Sequence, residues 1–135
     1  MGNIDWTQID TAEMKFIRAK AQKKQQIAAA RYAAECAGIT IQGVEIATDR
    51  DSQGLILGAT VQAQTTPEYT VAWKTKQDFV TLTAEQIIAI ATAIRAHVQA
   101  CFDREAELLP LLEAAVTQAD LDAITWEAVE NADNV

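Results

Sequence analysis

The sequence predicts an α+β domain: a long N-terminal helix, two β-hairpins forming a small antiparallel sheet around a middle helix, and a long C-terminal helix. Three observations predict it. A helix-type pattern stops at Gly38, and Ile39-Thr40-Ile41 and Val44-Glu45-Ile46 then alternate apolar and polar residues around Gln42-Gly43. A second alternating pair, Tyr69–Thr75 and Phe79–Leu82, flanks Lys76-Gln77-Asp78. Thr83 and Gln86 form a T-x-x-Q capping box ahead of apolar residues recurring at three- and four-residue steps.

The elements follow in chain order. Residues 1–10 read as a leader in which Ile4, Trp6 and Ile9 can dock on something. Asp10 or Thr11 caps the first helix, which runs to about Ala37, a length of about 40 Å at 1.5 Å per residue. Gly38 is its left-handed stop. Its apolar stripe is expected to be Met14, Ile17, Ala21, Ala28 and Tyr32, with a second line of Phe16, Ile27 and Ala34. Thr48 or Asp49 caps a middle helix from about Arg50 to Gln64, with Leu55, Ile56, Ala59 and Ala63 on one face. Gly54 and Gly58 leave room there for close backbone approach.

In the second hairpin Tyr69, Val71 and Trp73 share a face. The C-terminal helix carries Ile87, Ile90, Ala91, Ile94, Val98, Cys101, Phe102, Leu108, Leu109 and Leu112. Pro110 is expected to bend or break it near Ala106–Leu109, because proline lacks an N–H and clashes with the preceding turn. Thr117 restarts a short helix with Leu121 and Ile124 inward, and Trp126 and Val129 cover the core edge. The domain therefore spans 11–125, and 126–135 form a tail.

Bulk composition narrows the function classes. The chain has 135 residues, a length suited to one domain with a real core, and a net charge of −8. An acidic surface disfavours nucleic acid and anionic lipid as partners. No apolar stretch reaches the length of about 20 residues needed to cross a bilayer. The first residues have no basic region followed by an apolar run, so secretion by a signal peptide is not expected. The two cysteines, Cys36 and Cys101, form no CxxC and no disulfide framework. Charge is uneven: Thr11–Gly38 holds six basic and two acidic residues, and Cys101–Val135 holds one basic and nine acidic. Such opposite patches favour docking, within a chain or between subunits.

Few constellations could carry chemistry. His97 and Cys101 lie one helical turn apart, and Cys36 is the other thiol, so zinc binding or a Cys–His nucleophile is conceivable. The competing reading is a small hydrophobic Cys101 on an apolar stripe, with His97 at the core edge. Asp49-Arg50-Asp51 resembles the opening of a calcium loop. Gly54 fits the sixth position, but Thr60 stands where the twelfth needs a carboxylate. A helix N-terminus accounts for both aspartates, and Arg50 is free to pair with an acid from another element. Asp103, Glu105 and Glu107 are carboxylates expected on an outward face. No P-loop, GxGxxG, GxSxG or HExxH occurs. No catalytic residue, cofactor or metal is expected.

The segments RYAAE at Arg31–Glu35, TDRDSQ at Thr48–Gln53, Trp73-Lys74 with Val80-Thr81-Leu82, and the helical block Ala96–Phe102 resemble, in order and spacing, the phage-associated domain of unknown function DUF4376. The likeness covers about residues 16–125. It implies a tailed-phage or prophage tail association and carries over no catalytic residue. A non-enzymatic tail-fibre assembly factor or small structural tail component is therefore expected, in the virion tail or the cytoplasm of the infected host. Its partners would be other phage tail proteins, with a homo-oligomer through the N-terminal helix. The contact residues expected there are Phe16 and Ile17 as anchors and Arg18, Lys20, Lys23 and Lys24 as polar contacts. The alternatives are a phage-encoded regulator that binds a host protein through the acidic C-terminal third, and a small metal-dependent hydrolase built on His97.

Overall fold

A computed structural model of the chain describes residues 11–127. The element order is α1 (Ala12–Glu35), β1 (Ile39–Ile41), β2 (Val44–Ile46), α2 (Arg50–Thr65), β3 (Thr70–Lys74), β4 (Phe79–Thr83), α3 (Ala84–Ala114) and α4 (Gln118–Asp122). The fold class is α+β, as the hydrophobic periodicity requires. The chain divides into two compact units, residues 31–103 and the remainder, and α1 and α3 contribute to both. The expectations for Ile4, Trp6, Ile9 and Val129 fall outside the described residues.

The unit of residues 31–103 holds both hairpins. In the first, Gln42 and Gly43 take φ of 51° and 81°. Two successive left-handed residues make the twist-matched turn that a two-residue hairpin needs, and they pair Ile41 with Val44. The second hairpin pairs Thr70 with Thr83 and Lys74 with Phe79. Its loop is held by the Thr75 hydroxyl, which donates to the Asp78 carbonyl at 2.7 Å and accepts from the Asp78 N–H at 3.1 Å. The hairpins do not share the single sheet expected of them: each is a separate two-stranded sheet. A bare hairpin is marginal in water, so each depends on its apolar face being covered. Ile46, Ile56, Ala63, Leu82, Ala84, Ile87, Ile90 and Ile94 form the core of this unit, with Tyr69, Val71 and Trp73 packed against it.

Residues 11–30, 104–127 build the second core from Ile27, Leu108, Leu112, Ala115, Leu121 and Ile124, flanked by Phe16, Ala19, Leu109 and Trp126. The inward line of α1 is thus Phe16 and Ile27. The expected main stripe is corrected: Met14, Ile17 and Tyr32 are exposed. Both lines fit a 3.6-residue period, and periodicity alone does not say which of two weak lines a core selects. Leu55 on α2 and Phe102 on α3 are likewise exposed rather than inward.

Capping follows the sequence closely. The Gln86 N–H donates to the Thr83 hydroxyl at 3.2 Å, and the Thr83 N–H donates to Gln86 Oε1 at 2.9 Å. Thr117 caps α4 through a reciprocal box with Asp120. The N–H groups of Val116 and Thr117 hold the Asp120 carboxyl below its ordinary value.

Pro110 does not end α3, which continues to Ala114. Burial of Leu108 and Leu112 on either side of it favours the helix more than the lost hydrogen bond disfavours it. Pro110 itself is exposed. Pro110→Ala restores the missing donor without disturbing the core, so it is expected to raise the unfolding free energy by about 1–3 kcal/mol. Urea unfolding of the two proteins, compared at equal m-value, measures this.

Candidate functional site

In the unit of residues 31–103, the singular chemistry lies where α1 ends. The last carbonyls of a helix have no partner within it, and a buried helix end must find them elsewhere. The last turn of α1 contains no basic residue. Its carbonyls are met by other means. The Thr48 hydroxyl, fully buried, donates to the Glu35 carbonyl at 2.6 Å and accepts from the Gly38 N–H at 2.9 Å. His97 Nε2 lies 2.8 Å from the Ala34 carbonyl oxygen. Gly38 has a φ of 92°, and a Cβ placed there would sit 3.1 Å from the Ile46 carbonyl oxygen. Both the left-handed turn and the close approach call for glycine.

The side chain of Glu35 is only 2% exposed. Arg31 Nη1 donates to its Oε1 at 2.9 Å. Arg50 donates twice, from Nε to Oε2 at 3.2 Å and from Nη2 to Oε1 at 3.3 Å. Gln53 Nε2 donates to Oε2 at 3.2 Å and to the Thr48 carbonyl at 2.7 Å. Burial pushes the Glu35 carboxyl up. Hydrogen bonds from Arg50 and Gln53, the Arg50 charge and the bond from Arg31 outweigh it, and the carboxyl lies below its ordinary 4.5. The guanidinium of Arg31 stacks 4.4 Å from the Phe102 ring centroid, and that of Arg50 lies 5.4 Å from Tyr32.

Asp49 belongs to the same segment and serves as the cap of α2. It accepts from the Ser52 hydroxyl at 2.6 Å and the Ser52 N–H at 3.1 Å, which together lower its pKa. The run Asp49-Arg50-Asp51 therefore opens a helix, with both aspartates at its N-terminal end. Among the described residues, no group of three or more His, Cys, Asp or Glu is placed to hold a metal.

His97 and Cys101 do approach one another, with Sγ 4.0 Å from Nε2. A carbonyl oxygen only accepts, so Nε2 carries its proton toward Ala34 and is not placed as a base for the thiol. Cys36 is half-buried, Cys101 is buried, and no disulfide joins them. Asp103 accepts from Gln99 at 2.8 Å, Glu107 is exposed and Glu105 is half-buried.

The residues expected to make protein contacts lie in the other unit, and they separate into two sets. Phe16 is half-buried against the core. Lys20 Nζ donates to the Glu113 carbonyl at 3.1 Å, and Lys23 Nζ to the Ile124 carbonyl at 3.2 Å. Lys20 and Lys23 thus reach the C-terminal third through main-chain carbonyls. Ile17, Arg18 and Lys24 are exposed. Sequence reasoning missed a further feature: a groove of about 610 Å³ in the unit of residues 31–103, between α2 and α3. Leu57 and Val61 on its rim are 62% and 58% exposed. Of the two glycines read in the sequence as leaving room for close approach, Gly54 lines the groove.

The Glu35 cluster makes a directional prediction. A carboxyl whose folded pKa is depressed stabilises the fold above its ordinary value, and that stability is lost as pH falls through the lowered one. Glu35→Gln is expected to cost about 2 kcal/mol near pH 7, less than a fully enclosed pair because Arg50 is 59% exposed. It should also flatten the loss of stability between neutral pH and the acid limb. Urea unfolding at stepped pH checks both.

No curated protein and no solved structure matches the chain. Among the described residues, no helix is long and apolar enough to cross a membrane. The profile of the family described as "Domain of unknown function (DUF4376)" matches residues 18–130. That span includes both segments clasped around Glu35 and both hairpins, and the chain belongs to this family.

Proposed function

We propose that the protein is a non-enzymatic, phage tail-associated protein that acts by binding other tail proteins, as an assembly factor or a small structural component. The observation that carries the contact surface is on α1. While Phe16 and Ile27 face the core, Met14 and Ile17 are exposed, and Arg18 and Lys24 are exposed alongside them. An apolar residue ringed by long cationic side chains suits a protein partner whose rim is acidic. The tail assignment itself is supported by the likeness of four ordered sequence segments to a phage-associated family. The working places are the tail or the cytoplasm of the infected host.

Ile17 and Lys24 are the contact residues to test, because Phe16, Lys20 and Lys23 are engaged within their own unit. The double variant Ile17→Glu, Lys24→Glu is expected to keep its unfolding free energy within about 0.5 kcal/mol. It should lose capture of tail proteins from infected-cell lysate. Lys20→Glu and Lys23→Glu should instead lower stability. Mass spectrometry of purified virions and of the captured material provides the readout. Absence from virions together with no tail protein captured by the wild type would sink the proposal.

A further inference from the structure

The groove between α2 and α3 is walled by apolar side chains from both helices. Leu57 and Val61 stand exposed on its α2 side, and Ile94 and Val98 line it from α3. Much of its polar lining is already engaged. Gln53 donates to Glu35 and to the Thr48 carbonyl, the Thr60 hydroxyl donates to the Ile56 carbonyl, and Gln99 donates to Asp103. Arg95 differs. It is the only charged residue lining the groove, and it is exposed. Among the described residues it has no ion pair or hydrogen bond. The residues three and four places from it on α3 are Ala91, Thr92, Val98 and Gln99, none of them acidic. A guanidinium beside apolar walls, with no carboxylate of its own, leaves a site short of one anion.

We infer that this groove binds an amphipathic helix of a partner protein, with apolar residues along one face and a carboxylate at its edge that pairs with Arg95. Shape selects a protein segment over a small molecule. A small-ligand site encloses most of its ligand, and this groove lies open along Leu57 and Val61. Its α2 wall runs from Gln53 to Gln64, about 16 Å at the helical rise. Helix anchors at i, i+4 and i+7 span about 10 Å and fit within that length. Nothing lies within 4 Å of a Cβ built on Gly54, so a partner backbone can come close there. Charge then selects among protein segments. No acid lines the groove, so a carboxylate meets Arg95 unopposed, and the bidentate pair fixes register as well as adding affinity. A basic edge would meet a like charge instead. The net charge of −8 disfavours an anionic membrane as the occupant. This contact uses α2 and α3 and depends neither on the α1 surface nor on a role in a tail.

Displayed random peptides of about 16 residues, long enough for four helical turns, test it by selection on the full chain. Selected peptides are expected to share apolar residues at i, i+4 and i+7 with a flanking Asp or Glu. Fluorescence anisotropy of the synthetic peptides then measures affinity. Arg95→Glu should weaken binding by at least about tenfold with its circular dichroism unchanged, and Val61→Glu should do the same from the apolar wall. A peptide whose acid is replaced by Lys should bind the wild type at least about tenfold more weakly and recover on Arg95→Glu. Ile17→Glu, Lys24→Glu should bind as the wild type does, which separates this contact from the α1 surface. Selection that yields no such peptide, or affinities indifferent to Arg95→Glu, would overturn the inference. So would decanoate filling the groove where peptides do not, or a wild-type dimer that Val61→Glu abolishes.

Discussion

The unit of residues 31–103 turns on one buried carboxylate. Glu35 ends α1 in a place with little water, and an unpaired charge there would cost several kcal/mol. It is tolerated because four groups converge on it or on the adjoining carbonyl: Arg31 from the preceding turn, Arg50 and Gln53 from the start of α2, and the Thr48 hydroxyl. Those bonds do more than neutralise a charge. They set where α2 begins relative to the end of α1, and the β1–β2 hairpin must fit between them. Gly38 allows that fit, since a side chain there would crowd the Ile46 carbonyl.

This arrangement explains why the segments Arg31–Glu35 and Thr48–Gln53 stand out together in the sequence. They are partners of each other. Their polar residues are engaged in capping and pairing. His97 belongs to the same class, with its ring N–H spent on the Ala34 carbonyl. Membership of a family can therefore be firm while the family's signature says nothing about a substrate. Elsewhere in the described residues, α1 and α2 leave Met14, Ile17, Leu55, Leu57 and Val61 exposed.

The unit built from residues 11–30 and 104–127 shows a second use of charge. Lys20 and Lys23 run their stems along α1 and place their ammonium groups on carbonyls near the end of α3 and beyond α4. A helix C-terminus attracts cations, so these lysines act as remote caps. The uneven charge of the chain is thus partly an internal matter. Of the other basic residues of α1, Lys15, Arg18 and Lys24 have exposed side chains.

Local signals were legible in the sequence by itself. The Gln42-Gly43 turn, the stop at Gly38, the caps at Asp49, Thr83 and Thr117, and the long apolar rhythm of α3 all follow from backbone sterics and short-range hydrogen bonds, which depend on neighbours in the chain. The sequence also left Arg50 open to an acid on another element. Tertiary structure decided everything that depends on which surface wins a competition. It chose Phe16 and Ile27 over Met14 and Ile17, left Leu55 outside, kept α3 whole through Pro110, and held the two hairpins apart as separate sheets. It also named Glu35 as the partner of Arg50. Burial is a property of the assembled core, and no single element carries the information about what will be packed against it.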